Sequence, residues 1–268
     1  MPDPDTGHTE GGKLSLLGAV RELDDAELLA LYDYPAEHRG IWLRANMITS
    51  LDGAAAVKGT TGGLGGSGDR LVFHLLRELA DVILVGAGTV RIENYSGARP
   101  SIAQRQRRQT RGQTEVPPLA IVTGSGRLDR DLPVFTRTEV APLVLTSTAA
   151  AAETRRRLAG LADVIACSGE DATAVDEAAI LVALESRGLR RVLTEGGPML
   201  LSAFVDRDLL DELCLTIAPV IVGGQTQRLT PMATAPGRMP TRMHCRHVLT
   251  DEAGYLYTRY VTVGRPRS

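Results

Sequence analysis

The chain has 268 residues, of which 43 % are hydrophobic and 23 % charged, and a formal net charge of −2. That length fits one large α/β domain or two small ones, and the near-neutral charge excludes a polybasic binder of nucleic acid or acidic membranes. Cys167, Cys214 and Cys245 are odd in number and far apart, without metal-type spacing, so reduced structural thiols and no metal site are expected.

In chain order, residues 1–12 hold Pro, Gly, Asp and Thr without an apolar period and are expected to form a disordered tail. They do not read as a signal peptide, and no apolar run reaches transmembrane length, which predicts a soluble, cytoplasmic protein. Residues 13–39 read as an N-terminal helical extension, in which Asp24-Asp25 caps a short helix over 26–32 and Pro35 ends it. Residues 41–48 are the first strand candidate, leading through Thr49-Ser50-Leu51-Asp52-Gly53 into small residues at 54–57. Six glycines follow between 59 and 68, either a mobile site loop or a plain linker. Residues 69–79 predict an amphipathic helix with Leu71, Val72, Leu75, Leu76 and Leu79 as its apolar stripe. Asp69, Phe73 and Arg77 recur every four residues on another face.

Strand candidates at 82–85, 119–122, 143–146, 164–166 and 192–194 then alternate with helix candidates at 149–158, 174–187 and 199–206. Alternation of this kind predicts a three-layer α/β fold, a mostly parallel mixed sheet with helices on both faces. Residues 212–219 and 255–263 read as strands with little helix between them, which predicts antiparallel C-terminal strands. The segment 99–111 holds five arginines, among them Arg105, Arg107 and Arg108; it reads as a solvated loop or as a phosphate contact near Arg99. Residues 40–268 read as a single domain, and the apolar C-terminal strands predict a homodimer.

Two turns carry the chemistry. Val82-Ile83-Leu84-Val85 stops at Gly86-Ala87-Gly88-Thr89, and Val192-Leu193-Thr194 stops at Glu195-Gly196-Gly197-Pro198. A buried strand that turns at glycines into a helix leaves backbone N–H groups free at the helix start, a phosphate cradle. Two such turns in one α/β domain point to a dinucleotide. The implied reaction is hydride transfer from a nicotinamide to an electron-poor carbon beside nitrogen. The first turn is not a Rossmann fingerprint, because Arg91 stands at the third glycine position and the turn does not follow the first strand. His8-Thr9-Glu10 matches the H-x-E of zinc deaminases by chance, since no P-C-x-x-C follows. No G-x-S-x-G elbow supports a hydrolase. Ser125 and Arg127, just past the 119–122 strand, are candidates for the 2′-phosphate that separates NADPH from NADH. Glu195 and Asp69 are the carboxylates placed to orient a substrate or relay a proton.

Four ordered segments together resemble the reductase domain of riboflavin biosynthesis. They are Asn46-Met47-Ile48-Thr49-Ser50-Leu51-Asp52-Gly53, Ile83-Leu84-Val85-Gly86-Ala87-Gly88-Thr89-Val90, Leu193-Thr194-Glu195-Gly196-Gly197-Pro198 and Ala218-Pro219-Val220-Ile221-Val222-Gly223-Gly224. The resemblance covers about residues 40–264 and implies a dihydrofolate-reductase-like fold with NADPH as cofactor. It implies reduction of 5-amino-6-ribosylamino-uracil 5′-phosphate to its ribityl form. By position, Ile48, Thr89, Glu93, Ser125 and the run from Gly197, Pro198, Met199 and Leu200 to Ala203 fall on the cofactor side, and the glycine turns add Gly86, Ala87, Gly88 and Gly196. Asn46, Ser50, Arg77, Arg99 and Glu195 fall on the substrate side. Asn46 is a departure: the bacterial fused enzymes carry a lysine there and the archaeal-type enzymes an asparagine, which leaves Glu195 without an obvious cationic partner.

A second signal is similar to dihydrofolate reductases, which share this fold and begin their substrate helix with a carboxylate four residues before a phenylalanine. Asp69 and Phe73 have that spacing. A carboxylate there can hold the N–H and amino groups of a pterin, with the ring packed on the ligand. Equally, Asp69 can cap the helix and Phe73 belong to the core. Arg77, one turn further, suits a ribose phosphate. A pyrimidine nucleotide and a pterin both stand as substrates, and a non-catalytic nucleotide sensor is the third reading.

Overall fold

The computed structural model describes residues 21–56, 59–60, 62–231 and 239–264; the tail expected at 1–12 lies outside them. Nine strands form one sheet in the order β5-β4-β3-β2-β6-β1-β7-β9-β8. The strands are β1 (Trp42–Ser50), β2 (Val82–Gly86), β3 (Leu119–Thr123), β4 (Leu143–Thr146), β5 (Asp163–Ala166), β6 (Arg191–Thr194), β7 (Glu212–Ala218), β8 (Met243–Thr250) and β9 (Leu256–Thr262). From β5 across to β7 every pairing is parallel, and β7-β9-β8 is antiparallel. The mixed sheet is thus the one the sequence predicts.

The central strands are apolar almost end to end because both faces of the sheet are covered. Leu43, Ala45, Val82, Leu84 and Val192 pack on one side with Ile180 of α7 (Glu177–Glu185) and Leu201 and Phe204 of α8 (Pro198–Asp206). Ile83, Val85 and Ile121 face the other way, beside the layer that holds α2 (Ser67–Leu79). Four residues of the predicted α2 stripe, Val72, Leu75, Leu76 and Leu79, are buried there, each contributing roughly 1.5–3 kcal/mol. Leu71 is exposed instead. The helix starts two residues earlier than its stripe suggests. Its N-cap is Gly66, so Asp69 is not the capping residue. Glycine is needed at this end because the start of β9 and the residue before it come close: a Cβ on Gly66 would lie 2.9 Å from the Tyr255 ring, and one on Gly68 would collide with the Tyr257 hydroxyl.

The arginine-rich segment is a helix, not a loop. α4 (Ile102–Thr110) opens with a capping box between Ser101 and Gln104. Its Arg108 is fully buried and donates to the carbonyls of Arg77, Glu78 and Ala80 at 3.2, 2.8 and 2.6 Å. Those carbonyls end α2, where a helix leaves acceptors without intrahelical partners. Arg107 and Arg111 pair with the buried Glu78 at 2.7 and 3.0 Å. The low apolar content hid the helix, since its buried group is a guanidinium. Strand β8 also escaped the pattern: it is an edge strand, largely exposed, and a bulge at Cys245/His247 breaks its alternation.

The helical extension contains α1 (Asp25–Tyr32), capped by Asp24 with Glu27 in a capping box; it ends at Tyr32, before Pro35. Arg259 donates to the carbonyls of Leu31 and Asp33, fastening the extension to β9.

Candidate active site

A cleft of about 360 Å³ opens beside the C-terminal ends of β2 and β6. Open α/β sheets bind ligands at the carboxyl ends of their parallel strands, where helices begin. Asn46, Met47 and Ile48 of β1 line one part of the cleft; Asp69, Arg70 and Phe73 of α2 line another. Thr89 and Ile92 of α3 (Ala87–Ile92), then Glu93, Tyr95, Glu195, Gly197 and Pro198, complete much of the wall.

The two glycine turns are in contact. The Gly86 N–H donates to the Gly196 carbonyl at 2.8 Å. A Cβ on Gly197 would lie 2.5 Å from the Thr89 hydroxyl oxygen, so only glycine lets the turns close on each other. The Gly196–Gly197 peptide is cis. α8 begins with Pro198 at its first position, and no side chain caps its N-terminus. The Glu195 and Gly196 N–H groups bond to the Leu84 carbonyl and the Thr194 hydroxyl at 3.0 and 3.4 Å, so the donors left for another acceptor are those of the first turn of α8, and these fit the phosphates of a nucleotide.

Glu195 sits at the first residue of the second turn, 8 % exposed. Arg77 grips it in a two-point pair, Nε to Oε1 and Nη2 to Oε2, both 2.7 Å. The Tyr95 hydroxyl donates to the same Oε2 at 2.7 Å. Burial pushes the Tyr95 hydroxyl well above its ordinary range, and the Glu195 carboxylate adds to this, so it stays protonated as a donor. Burial alone would lower the Arg77 pKa, but Glu195 outweighs it and the guanidinium is held charged. Its plane lies 4.0 Å over the Phe73 ring. Glu195 therefore has a cationic partner after all: Arg77, one turn along α2 from Phe73, and not a residue at position 46.

The remaining expected residues divide between the cleft and its surroundings. Phe73 lines the cleft and is not a core residue. Asp69 lines it as well; burial raises its carboxyl above the ordinary range, with the neighbouring Thr216 hydroxyl working against that. Arg99 is exposed and lies with His74, Arg77 and Gln104 on a neighbouring cavity of about 200 Å³. Ser50 is 1 % exposed, and its hydroxyl is engaged within the turn, donating to Asp52 at 2.5 Å and accepting from the Ala54 N–H. Asp52 also accepts from the N–H groups of Val222 and Gly223 at 3.1 and 2.7 Å, so the first and fourth sequence motifs meet there. Ser125 and Arg127 are exposed just past β3, where the Arg127 carbonyl accepts from Arg91 at 3.3 Å. Ala87 is buried, Met199 is exposed, and Leu200 packs close to Gly86.

Sequence reasoning missed Tyr95. It follows Asn94, which holds a positive φ of 52° at the end of α3, and no periodic pattern marks that turn. The glycine-rich stretch is a site loop in part: Gly59, Gly62 and Gly65 line the cleft.

A mixed sheet of this order, with helices on both faces and a cleft at its strand ends, is the dihydrofolate-reductase-like fold of the riboflavin-type reductases. Residues 41–257 match the RibD C-terminal domain family, and the chain belongs to it. The chain is 31 % identical over 157 residues to the 2,5-diamino-6-ribosylamino-4(3H)-pyrimidinone 5′-phosphate reductase of Archaeoglobus fulgidus, covering 59 % of this chain and 70 % of that one. It is 30 % identical to the Aquifex aeolicus protein of the same name, over 57 % of this chain and 62 % of that one. A pyrimidine reductase-like protein from Corynebacterium diphtheriae superposes with a TM-score of 0.72 at 28 % identity, over 84 % of this chain and 93 % of the other. The fused deaminase/5-amino-6-(5-phosphoribosylamino)uracil reductase of Thermotoga maritima shares the fold, with a TM-score of 0.64 at 19 % identity over 83 % of this chain and 57 % of that one.

Proposed function

We propose that the chain is an NADPH-dependent reductase of the riboflavin-pathway type. Its substrate is a 6-ribosylamino-pyrimidine 5′-phosphate, reduced to the ribityl form. One observation carries the reading: a buried carboxylate, Glu195, held by Arg77 and Tyr95 on the cleft wall where the two glycine turns meet. The family match supports the same class of reaction.

In this reading the substrate's ribose ring opens. The C1′–O4′ bond breaks as the nitrogen lone pair forms the C1′=N imine, the nitrogen gives up its proton, and O4′ takes one. Hydride then adds to C1′ and a proton to the nitrogen. The nicotinamide, when bound, supplies the hydride. The protein supplies position and charge. The turns at Gly86–Gly88 and Gly196–Pro198 hold the cofactor's phosphates, with Ile48, Thr89 and Glu93 beside its ring end. Ser125 and Arg127 recognise the 2′-phosphate. Glu195 stabilises positive charge near the reacting nitrogen and, through Tyr95, gives a proton a path to it. Arg99 stands at the phosphate end of the substrate. Arg77, which the sequence assigns to that phosphate, serves as the partner of Glu195.

We also take the protein to act in the cytoplasm as a homodimer. Ile221 and Met239, 77 % and 79 % exposed, support a partner surface near the antiparallel end of the sheet. Among the described residues no helix is long and apolar enough to cross a membrane.

The test is NADPH consumption by the purified chain with three substrates in parallel: the 5-aminouracil, the 2,5-diaminopyrimidinone and dihydrofolate. Oxidation with a ribosylamino-pyrimidine is the expected result. Oxidation with dihydrofolate alone would establish the pterin reading, which the positions of Asp69 and Phe73 favour. Unchanged NADPH with all three would leave a nucleotide-binding sensor.

A further inference from the structure

The three side chains that meet at Glu195 are not held alike. Arg77 rides on α2, and Glu195 directly follows β6. Tyr95 lies past the end of α3, on a segment with no regular structure. Its hydroxyl must nonetheless meet one carboxylate oxygen, Oε2, at 2.7 Å. A group that acts at that range has to be held to within about 0.5 Å, so its backbone needs a fixed course.

The end of α3 sets that course. Glu93 caps the helix, its N–H donating to the Thr89 carbonyl at 2.9 Å. Asn94 then takes the left-handed conformation, with φ at 52°. This reverses the chain, and the Tyr95 N–H returns to the Val90 carbonyl at 3.1 Å. The return bond closes the helix end, and Tyr95 packs in the same apolar cluster as Val90. A right-handed residue at 94 would continue the helix and carry the phenol away from Glu195. Asparagine enters the left-handed region at little cost, whereas a β-branched residue there is an outlier. Asn94 is itself exposed and is not part of the cleft wall. The other side of Tyr95 is pinned as well. The Gly97 N–H donates to the Arg137 carbonyl at 3.1 Å, and a Cβ at position 97 would lie 2.4 Å from the Thr138 hydroxyl oxygen.

We propose that Asn94 is a positioning residue, whose left-handed backbone aims the Tyr95 hydroxyl at Glu195. Its bearing on turnover rests on the reductase reading above; the aim of the hydroxyl does not. α3 then serves the site at both ends. Its first turn brings Thr89 against the second glycine turn, and its last turn delivers Tyr95 to the carboxylate that follows β6.

The experiment compares Asn94→Gly, which keeps the left-handed conformation, with Asn94→Val, which opposes it. Asn94→Ala opposes it less and makes the same comparison should the valine variant not fold. Circular dichroism and NADPH binding check folding. In NADPH oxidation with a ribosylamino-pyrimidine, Asn94→Gly should stay within about 2-fold of wild-type kcat. Asn94→Val should lose about 10-fold in kcat with KM nearly constant, the loss expected of Tyr95→Phe. In a Tyr95→Phe background Asn94→Val should add less than about 2-fold, because the hydroxyl that it misdirects is already gone. Unchanged kcat in Asn94→Val, full additivity with Tyr95→Phe, or equal losses in the glycine and valine variants overturns the assignment. Incorporated 3-fluorotyrosine supplies a readout without substrate. The fluorine resonance that disappears in Tyr95→Phe should keep its position in Asn94→Gly and move in Asn94→Val; a resonance that stays in both overturns the assignment. No oxidation of any ribosylamino-pyrimidine by the wild type overturns the reductase reading alone, and the fluorine resonance still decides whether Asn94 aims Tyr95.

Discussion

At the scale of single residues, the site depends on three side chains from three separate parts of the chain. Arg77 comes from a helix, Tyr95 from the turn after the next one, and Glu195 from a strand end 100 residues beyond Tyr95. Replacing Glu195 by Gln keeps the volume and removes the charge that Arg77 balances. Turnover should fall about 100-fold or more, as for a lost acid–base group, with the melting temperature little changed. Near-normal turnover would make Glu195 a structural partner of Arg77 and nothing more. Tyr95→Phe is the finer probe. It removes one hydroxyl from Oε2 and leaves the ion pair, so a loss of about 10-fold in kcat with KM nearly constant is expected for one transition-state hydrogen bond. A change confined to KM would place Tyr95 in substrate binding instead. Arg127→Ala should weaken NADPH by about 1.5–3 kcal/mol while sparing NADH, if a charged hydrogen bond to the 2′-phosphate is lost. Equal weakening of both cofactors, measured by fluorescence titration, would remove Arg127 from that role.

Among elements, α2 and α4 behave as one unit. α2 supplies the cleft with Asp69, Phe73 and Arg77, and its C-terminal carbonyls end on Arg108 of α4. Burial lowers the Arg108 pKa to about 10, still high enough to keep the guanidinium charged at neutral pH. Arg108→Met fills similar volume without donors and leaves those carbonyls unpaired in the interior. About 3 kcal/mol of unfolding free energy should be lost by urea titration. Arg105→Ala, at an exposed pair with Glu139, should cost under about 1 kcal/mol. Similar costs for both would show that α4 is held by its surface charges and not by its buried arginine. Legibility in the sequence follows the same division. The apolar stripe of α2 is visible because leucines recur at helical spacing, whereas α4 docks through arginines, which composition marks as solvent-facing.

Across the whole molecule, the N-terminal extension, the central strand β1 and the antiparallel strands converge on Glu212. It is fully buried, 2.6 Å from Arg44 and 2.8 Å from Arg259, and accepts from the Trp42 indole at 2.9 Å. Burial pushes its carboxyl up, but Arg44 and Arg259 outweigh that and hold it below the usual range. A carboxylate with a lowered folded pKa stabilises above its unfolded value, and the stabilisation is lost as pH falls through the folded one. Urea midpoints should thus hold between pH 7 and roughly pH 5 and fall below about pH 4.5. Glu212→Gln should cost about 3–5 kcal/mol at pH 7, because two buried guanidinium groups lose their counter-charge. Its stability should also fall less steeply with acid than that of the wild type; Asp52 and Glu78, whose carboxyl groups are likewise held low, still contribute in both. A wild-type stability that does not change down to pH 3 would contradict this account.

The sequence alone was enough for the alternation of the central strands and helices, the parallel sheet with its antiparallel end, the two glycine turns and the family resemblance, though not for α4 or β8. These are local or periodic properties, written in apolar spacing and in glycines that only certain turns need. The partner of Glu195 was not legible. Asn46 suggested that the carboxylate stood alone, and Arg77 looked free for a phosphate; the fold turns α2 so that Arg77 reaches a carboxylate 118 positions away. The same holds for Tyr95 and for Arg108, whose roles come from pairings that no spacing in the chain encodes. Long-range ion pairs depend on how helices seat on the sheet, and that is decided by packing, not by the order of residues along any one element.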